Sequence, residues 1–198
     1  MDPQVKFVLF EPSHPGNVGA AARAIKTMGF DLLCLINPKE HPHPEARARS
    51  SGALDVLLDA EVCDNLNDAI ENCGLIVGTT SRTRRISAPT STIRDIAPSI
   101  INKAKHKPVA ILFGPEKTGL MNEQIDCCNQ LINIPSSKSY RSLNLAMAIQ
   151  IIAYELNFAW QALPSETEAR NLASNSEMEL FYEHLNQVLL ETGFLNPR

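Results

Sequence analysis

The amino-acid sequence predicts an α/β fold: a mostly parallel sheet flanked by helices, followed by a short C-terminal helix. Three observations carry this expectation. Short apolar runs of strand length recur along the chain, and segments of helical period fall between them. Loops rich in glycine, serine and asparagine follow several of the runs, at the position where open α/β sheets bind ligands.

The predicted strands cover residues 5–11, 32–36, 75–79, 109–113 and 131–135. They are short and almost wholly apolar, as strands covered on both faces must be. Helical segments are predicted at 18–28, 54–58, 66–72 and 93–105, with a further short helix opened by Pro44. Residues 143–163 form the longest helical segment, with apolar side chains around most of its circumference. Such a helix meets the sheet on one side and leaves a second apolar face, which suits a second subunit. Pro164-Ser165 breaks the pattern, and an acidic linker leads to a final helix at about 177–192, ended by Gly193. The chain therefore divides into a domain over residues 1–163 and a linker with a short helical extension over 164–198.

At 198 residues the chain has room for one such domain and little more. The opening Met1-Asp2-Pro3-Gln4 lacks the basic stretch of a secretory leader, and no apolar run approaches membrane-spanning length. A cytoplasmic protein is expected. Cys34, Cys63, Cys73, Cys127 and Cys128 are odd in number and form no C-x-x-C pair, so neither a disulfide framework nor a metal site is expected. Net charge is −4, unevenly spread. Residues 1–154 hold 16 basic and 15 acidic side chains, whereas 155–198 hold 2 and 7. Between Thr79 and Lys107 stand Arg82, Arg84, Arg85, Arg94, Lys103, Lys105 and Lys107 against Asp95 alone. A polyanion can dock on such a segment despite the acidic total.

Three loops carry the candidate chemistry. In Ser13-His14-Pro15-Gly16-Asn17-Val18-Gly19, Gly16 and Asn17 tolerate unusual backbone angles and Gly19 permits close packing, while Arg23 lies on the helix that follows. Phe113-Gly114-Pro115-Glu116-Lys117-Thr118-Gly119-Leu120 has the two glycines of a phosphate-binding loop. It lacks the lysine and hydroxyl residue required directly after the second glycine, which argues against a nucleotide triphosphatase. In Ile134-Pro135-Ser136-Ser137-Lys138-Ser139-Tyr140-Arg141-Ser142-Leu143-Asn144 a strand ends in a polar stretch, and Ser142 is placed to cap the next helix.

Together these loops resemble the three signature motifs of the TrmH-type SPOUT RNA methyltransferases. The first is Asn-x-Gly-x-x-x-Arg, here Asn17, Gly19 and Arg23. The second is Phe-Gly-x-Glu-x-x-Gly-Leu, here Phe113, Gly114, Glu116, Gly119 and Leu120. The third is an Ile-Pro loop, Ser-Leu-Asn, a helix and Tyr-Glu, here Ile134, Pro135, Ser142, Leu143, Asn144, Tyr154 and Glu155. The resemblance spans about residues 5–160. His14-Pro15-Gly16-Asn17, Lys26-Thr27-Met28-Gly29 and Tyr140-Arg141-Ser142-Leu143-Asn144-Leu145 are similar to the TrmJ branch in particular.

What the resemblance implies is specific. The fold would be a SPOUT domain whose C-terminal chain threads a deep trefoil knot. The protein would be a homodimer using S-adenosyl-L-methionine to methylate a ribose 2′-hydroxyl. The substrate would be RNA, foremost the first nucleotide of the tRNA anticodon loop. Ribosomal RNA is the alternative substrate, and a non-catalytic RNA-binding dimer the alternative function. Cofactor contacts carry over to Thr79, Thr80, Ser81, Gly114, Glu116, Gly119, Ile134, Ser142 and Leu143. Catalytic roles carry over to Arg23, Asn17, Ser142 and Asn144, with Arg23 reaching across the dimer. An arginine is a poor general base, so Arg23 is expected to hold the target phosphate and stabilise the developing alkoxide. Arg82, Arg84, Arg85, Tyr140 and Arg141 are expected to touch RNA. Members of the TrmJ branch carry a longer helical extension that helps hold tRNA. The chain stops about 34 residues past Pro164 with an acidic tail, so either it is a shortened form or RNA is expected to be held mainly by the core.

Overall fold

The computed structural model describes residues 2–81, 90–137, 139–163 and 173–195. Seven strands form one sheet: β1 (Val5–Phe10), β2 (Leu32–Ile36), β3 (Glu61–Cys63), β4 (Leu75–Thr79), β5 (Thr90–Thr92), β6 (Val109–Phe113) and β7 (Gln130–Asn133). Their order is β3-β2-β1-β6-β4-β7-β5, and every pairing is parallel. The helices are α1 (Pro15–Thr27), α2 (Pro44–Ser50), α3 (Leu54–Leu58), α4 (Leu66–Ile70), α5 (Ile93–Ala104), α6 (Asn122–Asp126), α7 (Leu145–Gln161) and α8 (Asn175–Glu191). A short 3-10 turn, Ser51–Ala53, leads into α3.

Alternation along the central strands sorts side chains onto two faces. Val5, Phe7, Leu9, Ile111 and Phe113 join the larger core with residues of α1, α3, α5 and α7, and Phe7 stacks on Phe113 at 6.4 Å between ring centroids. Val8, Cys34, Ile36, Ala110 and Leu112 face the smaller cluster that includes Ala69 of α4 and Ile125 of α6. Register then fixes where the loops emerge. Leu9 pairs with Phe113, Gly78 with Leu112 and Thr79 with Ile132, so the C-terminal ends of β1, β4, β6 and β7 lie along the same end of the sheet.

Several expectations are corrected. Helix α1 begins at Pro15, which suits a first helical position, so Gly16 and Asn17 are helical and need no unusual angles. Closeness is the reason for the glycines: a Cβ on Gly19 would overlap the Ala46 backbone of α2. Helix α7 starts at Leu145 and is capped by Asn144, not by Ser142. Strands β3 and β5 and helix α6 are not predicted, being only three, three and five residues long.

The chain separates into two compact units, Met1–Leu163 and Pro164–Arg198. The second holds α8, which Ser174 and Glu177 open with a reciprocal capping box and Gly193 follows at φ +74°. Among the described residues no helix is long and apolar enough to cross a membrane.

Candidate active site

The loops after β1, β6 and β7 are tied together by one polar chain. Glu116, in the loop after β6, turns its carboxylate toward the start of α1. Its Oε2 accepts from the Ser13 backbone N–H (3.0 Å) and the Ser13 hydroxyl (2.7 Å), and its Oε1 accepts from Asn17 Nδ2 (2.8 Å). Asn17 Oδ1 in turn accepts from Asn144 Nδ2 (3.0 Å). Asn144 Oδ1 accepts from the N–H groups of Ala146 (2.9 Å) and Met147 (3.4 Å), capping α7. Partial burial pushes the Glu116 carboxyl up, but the bonds from Asn17 and Ser13 outweigh it and hold the group at about 2. Glu116 is therefore a carboxylate throughout the neutral range, acting as a three-donor clamp.

Each amide in the chain has its orientation fixed by the next. The α7 cap requires an acceptor at Asn144 Oδ1, which leaves Asn144 Nδ2 to donate. Asn17 must then present its oxygen to Asn144 and its nitrogen to Glu116. Only an acceptor-only group at position 116 completes the sequence.

Beside this chain, at the ends of β4, β6 and β7, lies a cavity of about 560 Å³. That volume suits a small-molecule ligand of cofactor size. Ile132, Leu145, Ala148 and Ile152 give it an apolar wall. Thr79, Thr80, Ser81, Thr118 and Ser142 supply hydroxyls, and Lys117 and Arg141 are its basic groups. The loop after β6 closes on itself: Gly119 N–H donates to the Pro115 carbonyl (2.8 Å), and Gly119 takes φ +68°. A Cβ on Gly114 would overlap the backbone of Gly119 and Leu120, so the loop reaches this curvature only with glycine there.

All nine residues predicted for cofactor contact line this one cavity, although they come from three loops. Of the residues predicted to be catalytic, Ser142 lines it, and Asn17 and Asn144 stand one and two hydrogen bonds beyond Glu116. Arg23 does not line it; its side chain is exposed on α1 and has no hydrogen-bond or ion-pair partner among the described residues. Arg141 lines the cavity, whereas Tyr140 is 75% exposed outside it. Arg82, Arg84 and Arg85 lie outside the described residues.

Sequence reasoning missed two groups. Ser13 supplies two of the three bonds to Glu116 across 103 positions of sequence, a separation at which spacing carries no signal. Lys117 was read only as part of a broken phosphate-loop pattern, yet it lines the cavity.

The SpoU rRNA Methylase family matches residues 4–154. A tRNA (cytidine/uridine-2′-O-)-methyltransferase TrmJ from Pectobacterium atrosepticum is 43% identical over 197 residues, covering 98% of this chain and 82% of that protein. The crystal structure of TrmJ from Z. mobilis ZM4 superposes with a TM-score of 0.74 at 32% identity, covering 97% of this chain and 82% of that one. The SpoU methyltransferase AviRb from Streptomyces viridochromogenes, solved with AdoMet, shares the fold with a TM-score of 0.68 at 22% identity, over 82% of this chain and 60% of that one.

Proposed function

Because this chain belongs to the SpoU rRNA Methylase family, we propose that it is an S-adenosyl-L-methionine-dependent tRNA methyltransferase acting on a ribose 2′-hydroxyl of cytidine or uridine, at the first nucleotide of the anticodon loop. The observation that carries this reading is the convergence of Thr79–Ser81, Gly114–Gly119 and Ile134–Leu143 residues on a single cavity, locked from behind by Glu116, Asn17 and Asn144. Near-full-length similarity to a TrmJ enzyme supports tRNA over ribosomal RNA.

The cavity fits the cofactor in chemistry as well as size. Apolar side chains suit an adenine ring, and hydroxyls and loop backbone suit a ribose and an amino-acid end. When bound there, S-adenosyl-L-methionine supplies a methyl group already activated on a sulfonium. The chain's own residues then have to orient the ribose and steady the oxygen as its proton leaves. Ser142 stands at the cavity wall to orient the hydroxyl. Lys117 and Arg141 offer positive charge for the RNA backbone at the same mouth.

Arg23 acts across a homodimer in this reading, which accounts for its exposure away from its own cavity. Met147, Tyr154 and Phe158 leave an apolar face of α7 exposed, supporting such a dimer. A trefoil knot belongs to the same reading. Strand β7 lies between β4 and β5 although it follows both in sequence, which supports that reading. Residues 1–163 form the methyltransferase domain, 164–198 an appended linker and helix, and the enzyme works in the cytoplasm.

The test is methyl transfer from labelled S-adenosyl-L-methionine to bulk tRNA, with nuclease digestion and nucleoside analysis. A 2′-O-methylated pyrimidine is expected. A methylated base, or transfer only to ribosomal RNA, refutes the substrate assignment. Failure to bind the cofactor in calorimetry refutes the reading altogether.

A further inference from the structure

Away from the cavity, at the β3 edge of the sheet, two thiols and a carboxylate converge. Parallel pairing of β2 with β3 sets Cys34 opposite Glu61 and Ile36 opposite Cys63, so both cysteines and the glutamate share one face. Cys34 Sγ lies 3.8 Å from Cys63 Sγ, and Cys63 Sγ lies 3.6 Å from Glu61 Oε1. The three ligand atoms fall within 4.8 Å of one another.

We propose that Cys34, Cys63 and Glu61 form a tetrahedral binding site for a zinc-class divalent cation. Geometry is the first support. Two thiolates at ~2.3 Å from a tetrahedral zinc lie about 3.8 Å apart, and a thiolate and a carboxylate oxygen lie about 3.5–3.7 Å apart. The Cys34–Cys63 and Cys63–Glu61 pairs already stand at these separations, and the third pair lies within 4.8 Å. Charge is the second support. A divalent cation with two thiolates and one carboxylate leaves a single negative charge. Lys6 Nζ cancels it, donating to the other Glu61 oxygen at 2.7 Å while held by the Ala69 carbonyl at 3.2 Å. A ligand carboxylate oriented by an outer partner is a usual feature of metal centres.

Access is the third support. Cys34 is fully buried and Cys63 nearly so, but β3 is the edge strand and the Glu61 side chain is about half exposed. The fourth position therefore opens to water beside Glu61. On binding, the two thiol protons leave to solvent and the ion bridges β2 to the three-residue β3, fastening the sheet's edge. This site stands independently of the methyltransferase reading. The cysteines lie 29 positions apart, which is why no short spacing motif reveals them.

The experiment uses the full chain, reduced and stripped with chelator, and titrated with Co²⁺ as a spectroscopic probe. One equivalent is expected to bind with a thiolate-to-cobalt charge-transfer band and tetrahedral ligand-field bands, both displaced by Zn²⁺. Cys63→Ala should abolish the band, and Glu61→Gln should weaken binding at least tenfold. Cys127→Ser, at an exposed cysteine outside the cluster, should leave both unchanged. Because Cys34→Ala alters the core and could prevent folding, Cys63→Ala is the deciding variant. The proposal is overturned if no charge-transfer band appears, if the band survives Cys63→Ala, or if Cys127→Ser removes it.

Discussion

Replacing Glu116 with glutamine is the most discriminating perturbation of the site, because it changes one atom and almost no volume. The carboxylate accepts from three donors; a glutamine keeps one oxygen and presents an NH₂ in place of the other. With the oxygen turned to Ser13, the new NH₂ meets the Asn17 NH₂, donor against donor. Asn17 cannot turn to relieve this without losing Asn144, and Asn144 cannot turn without uncapping α7. A shift of the carboxyl from 4.5 to about 2 corresponds to about 3 kcal/mol of preference for the ionised form, which exposure of the group reduces to about 1–2 kcal/mol. Glu116→Gln should therefore lower stability by about 1–2 kcal/mol at pH 7, or roughly 2–8 °C in Tm for a domain of this size. The lowered carboxyl value also fixes the sign with pH. The stabilisation is complete above about pH 5 and is lost as pH falls through 4.5 toward 2. Urea unfolding of both proteins at pH 7, 5, 4 and 3 should show their difference shrinking across the acid steps. A difference that stays constant to pH 3 would refute the charge-based account and assign the loss to packing.

Gly114→Ala places a Cβ into the backbone of Gly119 and Leu120, so the loop must open. Calorimetry should find cofactor affinity reduced at least tenfold, and unchanged affinity would remove Gly114 from the site. Asn144→Ala deletes the α7 cap, costing about 1 kcal/mol in chemical denaturation. Asn144→Asp keeps the cap oxygen but sets a carboxylate oxygen against Asn17 Oδ1, acceptor against acceptor, so stability should still fall by about 1 kcal/mol, and methyl transfer with it. Arg23→Ala should cut the single-turnover rate of methyl transfer by about 100-fold or more, the scale of losing one transition-state donor. In the proposed homodimer, cofactor affinity and dimer mass should remain unchanged, and near-normal turnover there would exclude both roles proposed for Arg23.

The central strands were legible in the sequence because burial on both faces makes them continuous apolar runs. Residues 32–36, 75–79 and 109–113 coincide with β2, β4 and β6. Strands β3 and β5 escaped because three residues, Glu61-Val62-Cys63 or Thr90-Ser91-Thr92, cannot display a period of two against polar neighbours. Strand order was equally hidden: nothing in residues 109–113 says that β6 inserts between β1 and β4, yet that insertion brings Glu116 to Ser13. The cap of α7 shows the same limit in finer grain. Ser142 and Asn144 are both good capping residues, and composition favours neither. What decides is that an asparagine offers an acceptor and a donor on one side chain. Its oxygen closes the helix while its nitrogen, a separate and longer-reaching atom, donates to Asn17, whereas a serine offers both functions only from one oxygen close to the backbone. The cap is thus chosen by a partner 127 residues away. The identity of the cap and the orientation of Glu116 are consequences of one network, and substitution at either end should be felt at the other.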